Sequence, residues 1–232
     1  MSRLVYHGTD AETARLAVET GILPRSMTGK SQWETESHPD HVYLTRLYAG
    51  YFGYKASKGG PIGIIEVDLD RLSPDNLYPD EDFVEQGLRA LGKVSKSIAG
   101  DKYLRARTLA VRYQIERYKD CWAESLEALG NVAHRGVIPP SAITRVAIYD
   151  PLSNPVLTNM MLDPTITVLN STLFGETYQR LTAWLMGDPV KPEELFWQYL
   201  AAAPEQQAKM EELTRKQGGI ACIYREGSHA NP

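Results

Sequence analysis

The first stretch of the chain, Leu4-Val-Tyr-His-Gly-Thr9, constrains the fold more than any other. Three apolar or aromatic residues lead into a histidine, a glycine and a hydroxyl. The pattern predicts a short buried strand that delivers His7 to its end, with the chain turning at Gly8. Gly8 has no Cβ, so backbone can approach a ligand closely there. Thr9 is placed to cap a helix starting at Asp10 or Ala11. A histidine at such a strand end suits either a ligand contact or a satisfied structural role.

Further β-prone runs follow. His41-Val-Tyr-Leu-Thr45 alternates and predicts a second strand, and Ile62 to Leu69 a third. Val132–Val137 and Ile143–Tyr149 predict a fourth and a fifth, and Ile220–Tyr224 an edge strand. Between them lie helical patterns over 11–20, over 48–54 and, with breaks near Gly92 and Gly100, over 83–129. Asp80-Glu-Asp82 reads as the acidic start of a helix, favourable for its dipole, and Asp70 to Pro79 as a loop. Residues 25–40 read as a loop long enough to be functional, with Trp33 able to fold over a ligand. Glu66 and Asp68 alternate with Ile65 and Val67 and are expected to face solvent or a basic helix. Asp150-Pro-Leu-Ser-Asn-Pro155 is the best boundary. It divides the chain into a domain at 1–150 and a mainly helical C-terminal extension at 151–232, with Trp184, Phe196 and Trp197 as that extension's core.

Among 232 residues there are two cysteines, Cys121 and Cys222, and the net charge is −4. Two cysteines cannot build a disulfide framework or a cysteine zinc site and fit a reducing cytoplasm. No run of eighteen apolar residues exists, so no membrane span is expected. His38, Asp40 and His41 are an incomplete metal set, and no metal is expected. The charge is uneven. Arg89 to Lys119 holds nine basic residues against Asp101 and Glu116. Such a block suits a solvated helix face or a contact surface for phosphates or an acidic partner.

Three features stand in order: Tyr6-His7-Gly8-Thr9, His41-Val-Tyr-Leu-Thr45 and Ile64-Ile-Glu-Val-Asp68. Together they resemble the ADP-ribosyltransferase fold in its His-Tyr branch, which includes poly(ADP-ribose) polymerases, DNA-modifying toxins and RNA 2′-phosphotransferases. Gly21-Ile-Leu23, His41 and Val137-Ile-Pro-Pro-Ser-Ala-Ile143 look closest to the phosphotransferases. The resemblance covers residues 4 to 150. It implies an α+β fold whose small, split, twisted sheet surrounds an NAD cleft. In such families the histidine bonds the nicotinamide ribose and the glycine backbone bonds the amide, roles that fall here on His7 and Gly8. The second-strand tyrosine, Tyr43, stacks on the nicotinamide. Thr9, Thr45 and Tyr54 are expected to line the same pocket. The catalytic carboxylate of the family belongs near a late strand. Glu124 is the first candidate and Glu127 the second, and Asn131 or His134 could occupy the place instead.

The implied activity is transfer of ADP-ribose from NAD to a macromolecular acceptor, nucleic acid or protein, with the basic block as a nucleic-acid contact and the C-terminal segment as a protein-interaction surface. Two alternatives stand beside it: 2′-phosphate removal from RNA, and a binding module of the same fold without chemistry. Phosphate removal is disfavoured, because Asp10, Ala11 and Glu12 follow the His-Gly-Thr stretch where those enzymes carry an arginine. Arg15 is the first candidate here.

Overall fold

The computed structural model describes residues 3–29, 37–153, 182–188, 208 and 220–226. Among these residues seven strands form one sheet in the order β4-β5-β2-β1-β3-β6-β7, every neighbouring pair antiparallel. They are β1 Leu4–Asp10, β2 His41–Thr45, β3 Ile62–Asp68, β4 Leu77–Pro79, β5 Asn131–Arg135, β6 Ile143–Tyr149 and β7 Ile220–Arg225. The helices include α1 Ala11–Thr20, α2 Arg25–Thr28, α3 Ala49–Ser57, α4 Glu81–Ala90, α5 Gly100–Leu109 and α6 Trp122–Leu129.

The sheet is divided. β1 pairs with β3 over seven residues, from Leu4↔Asp68 to Asp10↔Ile62, but meets β2 only at Tyr6↔Thr45. One half is therefore β4-β5-β2 and the other β1-β3-β6-β7, joined at that single ladder pair.

β3 carries apolar side chains on both faces, as a central strand should. Ile65 and Val67 join Val5, Val42, Leu44, Val132, Val146 and the alanines of α1 in one core. Ile62 and Ile64 join Ala147, Tyr149 and Tyr48 in a second core on the other face. α1 packs tightly because β3 presents a glycine to it: a Cβ on Gly63 would lie 2.1 Å from Ala14 Cβ.

Several expectations change. β1 does not end at His7; it runs on to Asp10, so His7 sits within a paired strand opposite Ile65. Asp10, not Thr9, caps α1, its carboxylate accepting from the Thr13 N–H (2.8 Å) and the Thr13 hydroxyl (2.7 Å). The loop at 70–79 contains the short β4. Glu66 and Asp68 are buried rather than solvent-facing. Glu66 takes Arg145 at 2.6 Å, and Arg71 lies 3.4 Å from Asp68.

The described parts of the region after residue 150 are built into the same sheet. β7 pairs with β6. Trp184, Leu185 and Met186 lie in the second core, and Asp188 binds Arg145 at 2.7 Å. Trp33, Phe196 and Trp197 lie outside the described residues. No helix among the described residues is long and apolar enough to cross a membrane.

Candidate functional site

Between β1 and β2 a cleft of about 600 Å³ opens. Its lining comes from both half-sheets and from the helices above them: His7 and Gly8 of β1, Tyr43 of β2, Tyr51, Phe52 and Lys55 of α3, Asn131 of β5, and Asp80, Glu81, Asp82, Tyr103 and Arg107. Ser37 closes the rim.

His7 bridges the split. Its Nδ1 lies 2.9 Å from the carbonyl oxygen of Tyr43. A carbonyl only accepts, so Nδ1 carries the proton and donates, which leaves Nε2 as an acceptor. Burial pushes the imidazole pKa down, with the Tyr43 carbonyl and Asp10 opposing, and so favours the neutral ring.

Gly8 lines the cleft, but the structure gives a second reason for a glycine there. A Cβ at this position would sit 1.9 Å from the Ala49 carbonyl oxygen and 2.6 Å from the Gly53 nitrogen. α3 lies directly on the strand. That contact turns Tyr51, Phe52 and Lys55 of α3 into the cleft, with the Lys55 ammonium 5.6 Å from the Tyr51 ring centre. Thr45 sets the entry into α3, its hydroxyl accepting from the Leu47 and Tyr48 N–H groups at 3.0 and 3.1 Å.

Tyr43 meets a buried charge network. Its hydroxyl donates to Glu81 Oε1, which also accepts from the His38 N–H at 2.6 Å. Arg107 donates to Glu81 Oε2 at 2.9 Å and also to Asp82. Glu81 is 1% exposed. Burial raises its carboxyl pKa, while Arg107 and the Tyr43 hydroxyl pull it back towards the charged form. Asp80 caps α4 by accepting from the Asp82 N–H at 2.8 Å. Burial first, then the neighbouring Asp82 and Glu81, push its pKa up to about 8. The Asp80 N–H donates to Ser125 Oγ at 2.9 Å, and Ser125 donates to the Asn131 carbonyl, tying α4 to β5.

His7, Gly8 and Tyr43 thus meet in one cleft. Glu124 does not join them: it is exposed on α6 and absent from the lining, and Glu127 is exposed and pairs with Arg46 at 3.4 Å. Asn131, weighed beside them for the late-strand position, is in the lining. The carboxylates that reach the cleft are Asp80, Glu81 and Asp82. Thr9 and Thr45 are buried behind the wall, and Tyr54 packs into the second core; none of the three lines the cleft. His38 and His41 stack with ring centres 4.1 Å apart and planes at 22°, so their lone pairs do not converge on one point. Among the described residues no group of three or more potential ligands is set to hold a metal. His134 is buried on β5.

The carboxylate group escaped the sequence reading because its burial depends on Arg107, twenty-five residues beyond Asp82. The usable signal was Tyr78-Pro79 directly before the acidic run, an apolar-to-acidic step of the kind that ends a strand at a cleft.

No family model matches the chain, and no curated protein matches it. Among solved structures the chain is similar to one titled EcPltA, at 14% identity and a TM-score of 0.34, over 65% of this chain and 79% of that one.

Proposed function

We propose that the chain is an NAD-dependent ADP-ribosyltransferase that transfers ADP-ribose to a macromolecular acceptor and releases nicotinamide. The observation that carries this reading is the convergence of His7 and Tyr43, from neighbouring strands of a split sheet, on one cleft.

The lining suits the substrate. Tyr43, Tyr51 and Phe52 offer aromatic faces to a flat cationic ring. Asn131 and Arg107 both line the cleft, and Asn131 Oδ1 and Arg107 Nε are buried polar atoms without a hydrogen-bond partner among the described residues, a deficit of the kind that a bound ligand or water relieves. His7 Nε2 is an acceptor suited to a ribose hydroxyl. The cleft volume lies within the range usual for small-molecule sites. A carboxylate beside the ribose lowers the cost of the positive charge that develops as nicotinamide leaves. Here that work falls to the Glu81–Asp82 pair held by Arg107, in place of a late-strand glutamate, with Asn131 occupying the late-strand position.

The test is incubation of the protein with labelled NAD and separate protein, RNA and DNA pools, following nicotinamide release and label transfer. We expect His7→Ala and Tyr43→Ala each to cut nicotinamide release at least about a hundredfold with the fold intact. Glu81→Gln should retain NAD binding but lose release. A wild-type protein that neither binds NAD nor releases nicotinamide with any pool would sink the reading. A 2′-phosphorylated oligonucleotide in the RNA pool tests phosphate removal in the same assay.

A further inference from the structure

The basic block at 89–119 is not one uniform face. Three of its cations are committed inward. Arg89 pairs with Glu85 and also donates to the Ser95 and Ser97 carbonyls. Arg107 holds Glu81 and Asp82. Lys119 lies 5.3 Å from the centre of the Tyr78 ring. The other six, Lys93, Lys96, Lys102, Arg105, Arg112 and Arg117, are all exposed. Elsewhere Arg3, Arg46, Arg71, Arg135 and Arg145 each bind a carboxylate. Of the two acids within the block, Glu116 is taken by Arg135 at 2.9 Å, which leaves Asp101 against six cations.

α5 and the π-helical turn after it, Ala110–Gln114, organise this surface. Ala106, Ala110, Val111 and Ile115 face the protein. Lys102, Arg105 and Arg112 face away from it, together with Leu104 at 48% exposure and Tyr113 at 68%. Arg105 and Arg112 are seven residues apart, about 10 Å along the axis. Guanidinium groups bind phosphate oxygens in a planar fork. An exposed phenol ring supplies a stacking face for a base. A membrane-surface helix would instead need a wide apolar face, and the outer side of α5 offers one leucine among cations.

We propose that the outer face of α5, the turn after it and the short 3-10 segment Glu116–Cys121 that follows bind single-stranded nucleic acid, phosphates on Lys102, Arg105, Arg112 and Arg117 and a base on Tyr113. The same helix turns Tyr103 and Arg107 into the cleft on its inner side, so a bound strand lies about one helix diameter from it. The surface does not depend on what the cleft takes, and its test needs no NAD.

Fluorescence anisotropy with labelled 20-nucleotide DNA and RNA strands and the full chain decides the matter. Four phosphate contacts predict an affinity loss of about fiftyfold between 50 and 200 mM salt. The R105E/R112E/R117E variant should bind at least about thirtyfold more weakly and lower the salt slope by about two. Tyr113→Ala should weaken binding about tenfold with the slope unchanged. Circular dichroism monitors the fold, and if the triple variant does not fold, R105Q/R112Q must still weaken binding. The proposal is overturned by no binding at 50 mM salt or by reversal variants that bind as tightly as wild type. Tighter binding of duplex, of anionic phospholipid vesicles or of polyglutamate than of the single strands overturns it equally.

Discussion

At the residue scale, two positions carry consequences that their side chains alone do not suggest. Gly8 is required by the helix above it. Gly8→Ala places a methyl against the Ala49 carbonyl, and backbone cannot yield as a flexible side chain does. We expect a loss of about 3 kcal/mol or more in urea unfolding, together with a disordered α3 cleft wall. Asp80 carries a different consequence. Its carboxyl binds a proton more tightly in the folded chain, near pH 8, than in the unfolded one, near the ordinary aspartate value of 3.8. Its contribution to stability is therefore fully present below about pH 4 and is lost as pH rises through about 8. Asp80→Asn keeps an acceptor for the Asp82 N–H and removes the titration. Its stability should fall less than that of wild type between pH 5 and pH 8, and equal slopes for the two proteins would refute the assignment. The histidine and the tyrosine were readable from the sequence because Tyr43 sits in an alternating run and His7 follows three consecutive apolar or aromatic residues, and either pattern marks a strand even where its end is missed. The identity of the carboxylate was not. Glu124 and Glu81 both stand in the first turn of a helix, and only distant partners, Arg107, the Tyr43 hydroxyl and the His38 N–H, satisfy one of them as a buried group.

At the element scale, the segment between β4 and β5 wraps the cleft and combines a small apolar cluster of Val84, Leu88 and Ala110 with a few polar links. Arg107 of α5 is the strongest of them, reaching both Glu81 and Asp82 at the start of α4. Arg107→Ala strands a carboxylate that is 1% exposed. We expect it to destabilise the chain by about 3–5 kcal/mol, and Glu81→Gln in the same background should recover part of that loss. A double-mutant cycle measures the coupling, and additive single effects would contradict the link. The strands of this fold were legible where residues alternate, as in β2, or where β-prone apolar residues run together over several positions, as in β3 and β6. β4 was not, because three residues ending in proline carry no period. It exists through its pairing with β5, from Leu77↔His134 to Pro79↔Val132, which no local pattern reveals.

At the scale of the whole molecule, the boundary at Asp150 marks a change in sequence texture rather than the edge of the core. Trp184 is 1% exposed and meets Tyr149 edge to face, with ring centres 6.3 Å apart. Its neighbours Leu185 and Met186 are fully buried beside Ile62 and Ile64. Trp184→Ala should therefore cost about 3–5 kcal/mol and lower the stability of the whole sheet in one cooperative transition. A separate, earlier transition for the region after 150 would show that the two parts fold independently. The helical pattern around Trp184 was visible in the sequence, but amphipathicity states only that a face is covered, not by which element.

The lone Tyr6↔Thr45 rung between the half-sheets has a mechanical meaning. Backbone ladders stiffen each plate, while between the plates the shared apolar core is supplemented by one ladder pair and by the imidazole strut from His7 to the Tyr43 carbonyl. Cutting that strut loosens the jaw without unfolding either side, so amide protons flanking the seam in His7→Ala should exchange faster while those of β3 and β6 keep their protection.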